Sequence, residues 1–575
     1  MSSEESVKSK YGLYFERKPE ACEQILEDHI PLFTEIAPLK IGSKSSNNPH
    51  NPHLLIEGEN LHVLMALQQT HRELIDVIYI DPPYNTGNKD FTYNDKFVDK
   101  EDGYRHSKWL SFMEKRLRLA KELLKDTGVI FISIDENEQA NLKLLCDQIF
   151  RESNYVETFV WVKNSSKNNS STTGCVHEYV VCYSKNMGYL RNNGFFRLKK
   201  EGLDEVNALY SKLKSNGVPN PEIEKALRIF YKENPQLKGI SAYKFVDNAG
   251  IFTSDNASAP GGNGATYPVY HPNGYLCPAP SRGWGWTEGT FKANLENNLI
   301  LFGKDHTTIP RFKRYLSTVE TEVAKSIIVD NTDGKKELQS LFKGYSPFSC
   351  PTPTTLMCHL LKMMPKSSIV LDFFAGSGTM GHATMALNAE DGGSRQCILV
   401  TNNEGEFQDP ATGAILVGGI FDNVTYPRIK KVSEGYITAK GKQVNGLNQS
   451  AKVFKVTKDA GSFVNPAEYT PKSLIQAAIP TFMIKEGLHG LSEVASASCA
   501  TLKVFEQILN GVSCYLLIAF TDIEDSKLEL FIDNHLEQET DTLFIVYRLK
   551  EDDDIEYLDD KYASTPAIKF RDMPE

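Results

Sequence analysis

The sequence predicts an α/β fold in which one mixed, mostly parallel sheet is encoded in two pieces around a large insertion. Strand–helix alternation runs from about residue 54 to 186 and resumes from about 345 to 435. Between these pieces the chain is rich in Asn, Gly, Lys and aromatic residues, and long apolar runs are few. Because strands that alternate with helices form parallel sheets covered on both faces, we expect both pieces to contribute to one sheet.

The length of the chain bounds the number of domains. It has 575 residues, enough for three or four domains of about 100–200 residues each. We predict an N-terminal helical arm over residues 1–50 and the two halves of the α/β domain over 51–188 and 346–445. The insertion, of α+β type, would occupy 189–345, and a small acidic α/β domain would occupy 446–575.

The elements of the first piece follow from their local patterns. Leu54–Leu67 (LLIEGENLHVLMAL) is typical of a short strand, a turn and an amphipathic helix. Ile75–Ile80 (IDVIYI) is a continuous β-rich run, as expected of a strand covered on both faces, and two prolines end it. Helical apolar spacing predicts a helix over Trp109–Lys125. A further helix is predicted to end at about Phe150, and three further strands are predicted at Gly128–Asp135, Tyr155–Lys163 and Glu178–Ser184.

The second piece repeats the alternation. Its predicted helices are Leu356–Met364 and Gly378–Asn388, and its predicted strands are Ser368–Asp372 and Gln396–Thr401. After about residue 450 the pattern changes to a smaller α/β segment with strand candidates at Cys514–Phe520 and Leu543–Tyr547. The acidic run 551–560 is typical of a solvated loop.

The composition argues against several classes of protein. No run approaches the roughly 18 apolar residues that a membrane-spanning helix needs, and the polar start MSSEESVKSK lacks the apolar core of a secretory signal. The ten cysteines are scattered, without a CxxC pair, and no His cluster has zinc-ligand spacing. We therefore expect a cytoplasmic protein with reduced thiols, without a metal site and without a membrane segment.

The net charge of −11 arises from 63 Lys and Arg residues against 74 Asp and Glu residues, which argues against a polybasic nucleic-acid coat protein. The charge is unevenly distributed along the chain. Residues 161–350 carry 24 basic and 17 acidic side chains, whereas residues 451–575 carry 12 basic and 22 acidic ones. The basic middle part is where we expect a polyanion to bind, although surface charge more often serves solvation alone.

The first motif is a glycine turn at the end of a predicted strand. Residues 370–379 (VLDFFAGSGT) run from the strand into a Gly-x-Gly turn that opens a helix, as in nucleotide-binding folds of the Rossmann type. Gly381 supplies the third glycine of a GxGxxG fingerprint, yet Asp372 suits a cationic or amine-bearing ligand better than a dinucleotide. Glu404, just after the next strand, is placed to accept hydrogen bonds from ribose hydroxyls. Because such turns are common, this motif alone does not define the ligand.

The second motif is DPPY, Asp81–Tyr84, at the carboxyl end of a predicted strand, where open α/β sheets bind their ligands. An exocyclic amine such as adenine N6 is a poor nucleophile, because its lone pair is delocalised into the ring. The Asp81 carboxylate and the Pro82 carbonyl are suitable acceptors for that amine, and proline fixes the backbone that aims them. Tyr84 can stack on a base that has left the duplex. The alternative interpretation is a proline-terminated strand with a capping aspartate.

Together the two motifs are more specific than either motif alone. The sequence also lacks the Pro-Cys nucleophile that carbon-5 cytosine methylation requires for covalent attack. The pair therefore indicates methylation of an amino nitrogen, with S-adenosylmethionine as the methyl donor.

The chain resembles amino-methylating DNA methyltransferases of the β arrangement, most closely the modification (Mod) subunits of Type III restriction-modification systems. In that arrangement the DPPY tetrad comes first, then the target-recognition region and then the glycine turn, which is the order here. The resemblance covers about 54–186 and 345–435. It rests on the segments LLIEGENLHVL, IYIDPPYNTG, GVIFISIDENE, HEYVVCYSK and LDFFAGSGTMGHA.

The resemblance implies a Rossmann-like, S-adenosylmethionine-dependent methyltransferase fold that acts on adenine N6 in double-stranded DNA. The catalytic residues would be Asp81, Pro82, Pro83 and Tyr84. The cofactor would be held by Asp372, Phe373, Phe374, Ala375, Gly376, Ser377, Gly378, Thr379, Glu404, Glu59 and Asn60. Where the family usually has Lys-Pro, the chain has Cys350-Pro351-Thr352-Pro353, which removes a charge near the cofactor. A homodimer and a restriction subunit of helicase-nuclease type are the implied partners.

The insertion 189–345 corresponds to the family's target-recognition region. Its predicted DNA contacts form two basic clusters, and the second has interleaved aromatic residues: Arg191, Arg197, Lys199 and Lys200, then Arg311, Lys313 and Arg314. Basic side chains mostly position phosphates, while a few polar side chains read base edges. We expect Trp284 and Trp286 to pack in the core rather than to contact DNA.

Two other functions remain open at this point. A non-catalytic specificity subunit would use the same fold to hold DNA for a nuclease, but the intact DPPY and FAGSGT segments disfavour it. Methylation of RNA or of a protein glutamine is the second alternative, since related tetrads occur in such enzymes. The long insertion and the split order of the motifs argue against that alternative.

Overall fold

The structure is a computed structural model that divides into two compact units, residues 1–195 with 325–575, and residues 196–324. We call the second the inserted unit. The structure describes residues 12–42, 46–48, 51–88, 90–94, 96–163, 173–465, 471–488, 492–494, 498, 502–509, 512–519, 525–536, 542–548 and 568–572.

The first unit is built on a ten-stranded sheet. Its strands, in chain order, are β1 (Thr34–Glu35), β2 (His53–Gly58), β3 (Ile75–Ile80), β4 (Leu124–Ile134), β5 (Tyr155–Val162), β6 (His177–Ser184), β7 (Ile327–Val329), β8 (Ile369–Asp372), β9 (Gln396–Thr401) and β10 (Ala451–Val456). The strands lie in the spatial order β7-β5-β6-β4-β3-β8-β9-β2-β10-β1.

Six of the nine strand pairs are parallel, and three are antiparallel. This confirms the predicted mixed, mostly parallel sheet. The run from β4 through β3, β8, β9 and β2 to β10 is parallel throughout, so the carboxyl ends of these strands meet at one edge. The residues that follow β2, β3, β8 and β9 are therefore brought together there.

Helices flank this sheet because their apolar faces pack against buried strands. The flanking helices are α1 (Asn60–His71), α2 (Arg105–Leu123), α3 (Gln139–Phe150), α4 (Thr354–Leu361), α5 (Thr379–Asp391) and α6 (Tyr426–Glu434). In α2, Trp109, Met113, Leu117 and Ala120 follow helical spacing and are fully buried in the core of the sheet. Strands β3 and β9 have the predicted bounds to the residue, and the other predicted strands and helices of the two pieces are present with shifted ends.

Over residues 12–42, the predicted N-terminal helical arm is not α-helical. The described part of this segment contains only two short 3₁₀ helices, Ala21–Glu27 and Ala37–Leu39, and otherwise extended chain. Strand β1 pairs antiparallel with β10, and Ile30–Pro31 pairs with Phe463–Val464. Prolines such as Pro31 lack a backbone donor and fix φ, which interrupts an α-helix.

Two predicted domain boundaries also differ from the structure. Strand β7 falls within the predicted insertion, yet it pairs in parallel with β5 in the main sheet. Strand β10 falls within the predicted C-terminal domain, yet it pairs in parallel with β2 over its whole length. The ten-stranded sheet therefore extends further along the chain than the alternation pattern indicated.

The inserted unit is of α+β type. A four-stranded antiparallel sheet has the spatial order Phe245–Asp247, Gly250–Asn256, Arg311–Tyr315 and Ile300–Leu301. Its helices are Leu203–Ser215, Asn220–Glu233 and Glu288–Glu296. At the ends of the unit, Arg197–Lys199 pairs antiparallel with Thr321–Val323, so the incoming and outgoing chains lie side by side.

The C-terminal part of the first unit has a five-stranded sheet. In spatial order its strands are Ser492–Glu493, Leu502–Leu509, Val512–Ala519, Thr542–Arg548 and Ile568–Asp572. The predicted acidic loop 551–560 lies outside the described residues.

The other described elements of the first unit are four helices, two helical turns and two short hairpins. The helices are Met187–Asn192, Gly334–Leu341, Pro471–Lys485 and Asp525–Leu536, with a π-helical turn at Phe421–Thr425 and a 3₁₀ turn at Glu152–Asn154. Two hairpins are formed by Thr92–Tyr93 with Lys96–Phe97 and by Gly435–Ile437 with Gln443–Asn445. Within the described residues, no helix has the length and apolar character needed to cross a membrane.

Candidate active site

The DPPY tetrad forms a turn directly after β3, at the carboxyl edge of the sheet. The indole Nε1 of Trp109 donates to the Pro83 carbonyl at 2.7 Å, which ties the turn to α2. Asn85, the next residue, has a positive φ of 59° and is fully buried. Its side-chain amide donates to Glu138 Oε1 at 2.5 Å. The turn is therefore held by side chains from two helical regions. The two prolines restrict the backbone of the turn, but they do not by themselves attach it to the neighbouring helices.

Asp81 is held by a residue that is distant in sequence. The Thr352 hydroxyl donates to Asp81 Oδ2 at 2.8 Å. Burial raises the pKa of the Asp81 carboxyl, and hydrogen bonds from Tyr84 and Thr352 together with the charge of Lys163 oppose that rise. Such a carboxylate is a good acceptor, because it is poorly solvated and its remaining lone pairs are available to an amine.

Tyr84 is anchored at its hydroxyl end. The Tyr84 hydroxyl donates to Glu178 Oε2 at 3.3 Å, and Glu178 forms an ion pair with Lys163. Neither Glu178 nor Lys163 was predicted as a site residue. Burial and the nearby carboxylates of Asp81 and Glu178 raise the pKa of Tyr84 well above its ordinary value, so the phenol stays protonated and acts as a donor.

A cavity of about 320 Å³ lies at the carboxyl edge of the sheet. The predicted site residues that line it come from the ends of four neighbouring strands: Glu59, Asn60, Pro83, Phe373, Phe374 and Glu404. Pro83 of the DPPY turn and the two phenylalanines that precede the glycine turn are about 290 residues apart in sequence, and they line the same cavity. Its volume lies within the roughly 300–1,000 Å³ of small-molecule sites.

One wall of the cavity depends on Arg116, which lies in neither of the two sequence motifs. This buried side chain donates to Glu59 Oε1 at 2.7 Å, to Asn60 Oδ1 at 2.5 Å and to Glu20 Oε2 at 2.9 Å. The Asn60 amide in turn donates to the Phe373 carbonyl at 3.2 Å. Arg116 therefore links α2, the residues after β2 and the N-terminal segment, as a planar guanidinium with several donors can.

The glycine turn has the backbone geometry that its sequence predicts. Gly376 and Gly378 have positive φ values of 47° and 78°, and Gly378 is the N-cap of α5. The hydroxyls of Ser377 and Thr379 face buried Arg428, which donates to them at 3.0 and 2.8 Å. These two residues therefore support the turn from behind, whereas Phe373 and Phe374 line the cavity.

Asp372 lies at the end of β8 and is buried. Its Oδ1 accepts a hydrogen bond from the Phe374 backbone amide at 3.0 Å. Burial raises the pKa of Asp372 well above its ordinary value, and the charge of Asp81 adds to this effect. Asp372, Ala375 and Gly376 are not among the residues that line the cavity.

The lining of the cavity fits S-adenosylmethionine. Phe91, Phe112 and Phe374 contribute aromatic side chains to the lining, which suits a purine, and aromatic faces also attract a sulfonium cation. Glu404 offers a carboxylate to ribose hydroxyls or to an ammonium group. Among the residues that the structure describes, no group of three or more His, Cys, Asp or Glu side chains is placed to hold a metal ion.

The predicted DNA-contact residues are mostly exposed and locally paired. In the inserted unit Lys199 pairs with Asp204 at 2.5 Å and Arg314 with Asp255 at 2.8 Å. The other exposed members are Arg197 and Arg311 in the inserted unit and Arg191 in the first unit, while Lys200 is half-buried and donates to the Tyr243 hydroxyl.

Lys313 differs from these residues. It is only 8% exposed and pairs with Asp247 at 3.0 Å. Its cation therefore stabilises the inserted unit and is not presented to solvent. Trp284 is 1% exposed and its indole donates to the Tyr267 carbonyl at 3.1 Å, which confirms the predicted packing role.

Comparison with known proteins adds independent information. A family model described as DNA methylase matches residues 75–408. The chain is 34% identical over 423 residues to the Type III restriction-modification enzyme StyLTI Mod subunit of Salmonella typhimurium, covering 69% of this chain and 59% of that protein. It is 34% identical over 407 residues to the EcoP15I Mod subunit of Escherichia coli, covering 65% and 62%. It is 30% identical over 377 residues to the Type II methyltransferase M.KpnI of Klebsiella pneumoniae, covering 60% and 79%.

The chain thus spans about three-fifths of the length of the two Mod subunits that it matches. The match to the family model covers more than half of this chain and includes both the tetrad and the glycine turn.

Proposed function

Because the chain belongs to the DNA methylase family, we propose that it transfers a methyl group from S-adenosylmethionine to the N6 amino group of an adenine in DNA. The observation that carries this proposal is the single cavity that Pro83 of the tetrad shares with Phe373, Phe374 and Glu404. An amine acceptor and a cofactor pocket at the same edge of the sheet are what a transfer between two bound molecules requires.

In the proposed reaction Asp81 and the Pro82 carbonyl accept hydrogen bonds from the target amine. These bonds favour the tetrahedral nitrogen whose lone pair attacks, so they are stronger in the transition state than in the ground state. The bound cofactor supplies an electrophilic methyl group. Tyr84 stacks on the flipped base, and the proton leaves the nitrogen late, to solvent or through Asp81. No covalent bond between the base and the protein is needed.

The proposed cofactor contacts follow from the lining of the cavity. Glu404 would accept hydrogen bonds from the ribose, and Phe373 and Phe374 would contact the rest of the cofactor. Glu59 and Asn60 would act in positions fixed by Arg116. Ser377, Gly378 and Thr379 would keep the glycine turn in shape.

We propose the inserted unit as the target-recognition domain. Support comes from its position between the two motifs and from its exposed basic side chains. Arg197, Lys199, Lys200, Arg311 and Arg314 would contact phosphates, as would Arg191 of the first unit, and Lys313 is left out because it is buried.

The relatives named as Type III Mod subunits support a more specific role. We propose that the protein is the modification subunit of a restriction-modification system in the cytoplasm, as a homodimer with a restriction subunit of helicase-nuclease type. The partners would be identified by co-purification from the native host.

Tritiated methyl transfer to unmethylated genomic DNA tests the proposed activity. We expect incorporation by the wild type and a loss of at least about 100-fold in Asp81→Ala, because the main acceptor of the amine is removed. The exposed Asp126→Ala variant is the matched control and should keep wild-type transfer. Single-molecule sequencing of the product then reports the modified base and its sequence context.

Three outcomes would count against this function. Cofactor binding without transfer to any DNA would favour the non-catalytic specificity subunit. Transfer to RNA or to a protein, with DNA inert, would favour the other alternative. Wild-type turnover by Asp81→Ala would show that the tetrad has been given the wrong role.

A further inference from the structure

We propose that Glu178 and Lys163 form a positioning pair that fixes the orientation of Tyr84 against the target base. The proposal rests on the proposed function, since it concerns how the tetrad presents its aromatic ring. It assigns a role to two residues that lie outside both sequence motifs.

The pair is built into two neighbouring strands. Glu178 lies in β6 opposite Trp161 of β5, and Lys163 follows directly after β5. The Lys163 backbone amide donates to the Val176 carbonyl at 2.7 Å, which continues the ladder between the strands. The Lys163 ammonium lies 3.8 Å from the centre of the Trp161 ring. The lysine is thus restrained at its backbone and at its side chain, and it bonds Glu178 Oε1.

Each carboxylate oxygen of Glu178 has a different partner. Oε1 accepts from Lys163, and Oε2 accepts from the Tyr84 hydroxyl at 3.3 Å. This division fixes the carboxylate plane. It therefore also fixes where the far end of the Tyr84 ring must lie.

The contact completes a set of restraints on the tetrad. Thr352 holds the Asp81 carboxylate, and Trp109 holds the Pro83 carbonyl. Without Glu178, the phenol hydroxyl would keep only the neighbouring Asp81 carboxylate as a partner, so the ring would be less restrained against rotation about its two side-chain torsions. A stacked base requires the ring plane in one orientation, so ordering it in advance favours the reactive complex.

The charges around Glu178 explain why a lysine is needed. The groups that face it are Lys163, Asp81, Tyr84 and Asp135. Two of these are carboxylates, which oppose a third negative charge nearby. Burial raises the pKa of Glu178, and the cation of Lys163 opposes that rise. Lys163 therefore balances the negative charge at the turn and keeps Glu178 a strong acceptor.

The test compares three substitutions in the full-length protein. Tyr84→Phe keeps the stacking ring and removes only the hydroxyl, Glu178→Ala removes the acceptor, and Glu178→Gln keeps an acceptor oxygen. We expect Tyr84→Phe and Glu178→Ala each to lower kcat about tenfold without weakening cofactor binding, because only the preorganised geometry is lost. Glu178→Gln should stay within about threefold of the wild type.

The double variant provides the sharpest discrimination. If Glu178 acts only through Tyr84, the double variant Tyr84→Phe with Glu178→Ala should be no slower than either single variant. In a second readout, a DNA duplex carries 2-aminopurine in place of the target adenine. Its fluorescence emission should differ from that with the wild type, and by the same amount with Tyr84→Phe and with Glu178→Ala. The exposed residues Tyr189 and Glu152 provide matched controls, Tyr189→Phe and Glu152→Ala, which should leave both readouts unchanged.

Additive losses in the double variant, or full turnover by Tyr84→Phe, would overturn the positioning role. Thermal unfolding and cofactor titration of each variant separate misfolding from a specific effect. If Glu178→Ala does not fold, the comparison of Glu178→Gln and Tyr84→Phe with the wild type still decides the test. A wild type that methylates no DNA would refute the proposed function itself. An active wild type with discordant variants would refute only the positioning pair.

Discussion

At the scale of single residues, Thr352 shows how a departure from a family pattern acquires a role. The sequence indicated only that a charge is missing where the resembling family usually has Lys-Pro. In the structure the Thr352 hydroxyl donates to the carboxylate of Asp81 at 2.8 Å. The neutral hydroxyl of Thr352 therefore contacts Asp81, the residue that we propose as the acceptor of the target amine.

This contact predicts the pH dependence of methyl transfer. Asp81 must be ionised to act as an acceptor, burial raises its pKa, and the bond from Thr352 lowers it. In Thr352→Val the lowering contribution is lost, so the pKa of Asp81 rises further. The acid limb of the kcat profile should therefore move to higher pH, with activity recovering at alkaline pH. The measurement is kcat against pH for the wild type, Thr352→Val and Thr352→Ser.

Thr352→Ser keeps the hydroxyl and should keep the wild-type profile. An acid limb that stays in place in Thr352→Val, or moves to lower pH, would contradict the assigned contact.

The site residues that the sequence predicts lie close to strand ends, whereas those that it does not predict are held by partners distant in sequence. Asp81 and Phe373 directly follow strands, and Glu404 lies three residues beyond one. Because the carboxyl ends of parallel strands share an edge, local patterns were enough to place these residues together. Arg116 and Glu178 act through partners that are 57 and 94 positions away in sequence. Such pairings depend on the tertiary packing of α2 and β6, which the pattern of a single segment does not contain.

At the scale of secondary-structure elements, the segment that joins β8 to α5 contributes to the packing of the helix as well as to the proposed cofactor site. Gly381 completes the GxGxxG pattern, but in the structure it lies at the packing contact between helix α5, strand β9 and helix α6. A Cβ atom there would lie 2.6 Å from Leu399 Cδ1 and 2.8 Å from Ile429 Cδ1. The third glycine therefore serves close packing of a helix on a sheet.

We predict that Gly381→Ala lowers the free energy of unfolding by about 1–3 kcal/mol, because the new methyl group overpacks a closed core. Denaturant unfolding of the wild type and the variant measures the difference. Gly103→Ala is the matched control, since nothing lies within 4 Å of a Cβ at that position. A Gly381→Ala protein as stable as the wild type would show that the helix shifts without cost.

Two of the strands that the sequence did not predict, β7 and β1, are short and lie at the two edges of the main sheet. Strand β7 has three residues, and Ile327 and Val329 are 60% and 63% exposed, so it lacks the continuous buried run that identified β3. Strand β1 has two residues and contains no hydrophobic side chain. In both cases hydrogen bonding to a neighbouring strand, and not the hydrophobic pattern, defines the strand.

At the scale of the whole molecule, the antiparallel pairing of Arg197–Lys199 with Thr321–Val323 closes the inserted unit at its base. The backbone amide of Ala324 also donates to the Phe196 carbonyl at 2.8 Å. The two chain crossings are therefore adjacent, and joining them directly would cost little loop-closure entropy.

We predict that replacing residues 196–324 with a short Gly-Ser linker leaves a folded protein that binds S-adenosylmethionine but does not methylate DNA. The cavity residues all belong to the first unit, whereas most of the proposed phosphate contacts are removed. Isothermal titration with the cofactor and the tritium transfer assay measure the two properties. Site-specific methylation by the shortened protein would place target recognition outside the inserted unit.

The order of strands in the main sheet has a consequence for synthesis on the ribosome. Strand β2 lies between β9 and β10, so both of its neighbours are translated more than 330 residues later. At about 5–20 residues per second, this delay lasts roughly 20–70 seconds. The fully buried strand β2 would spend that time without its native partners, whereas the continuous inserted unit can fold meanwhile. Nascent chains of this protein are therefore expected to need protection by chaperones until β10 has emerged.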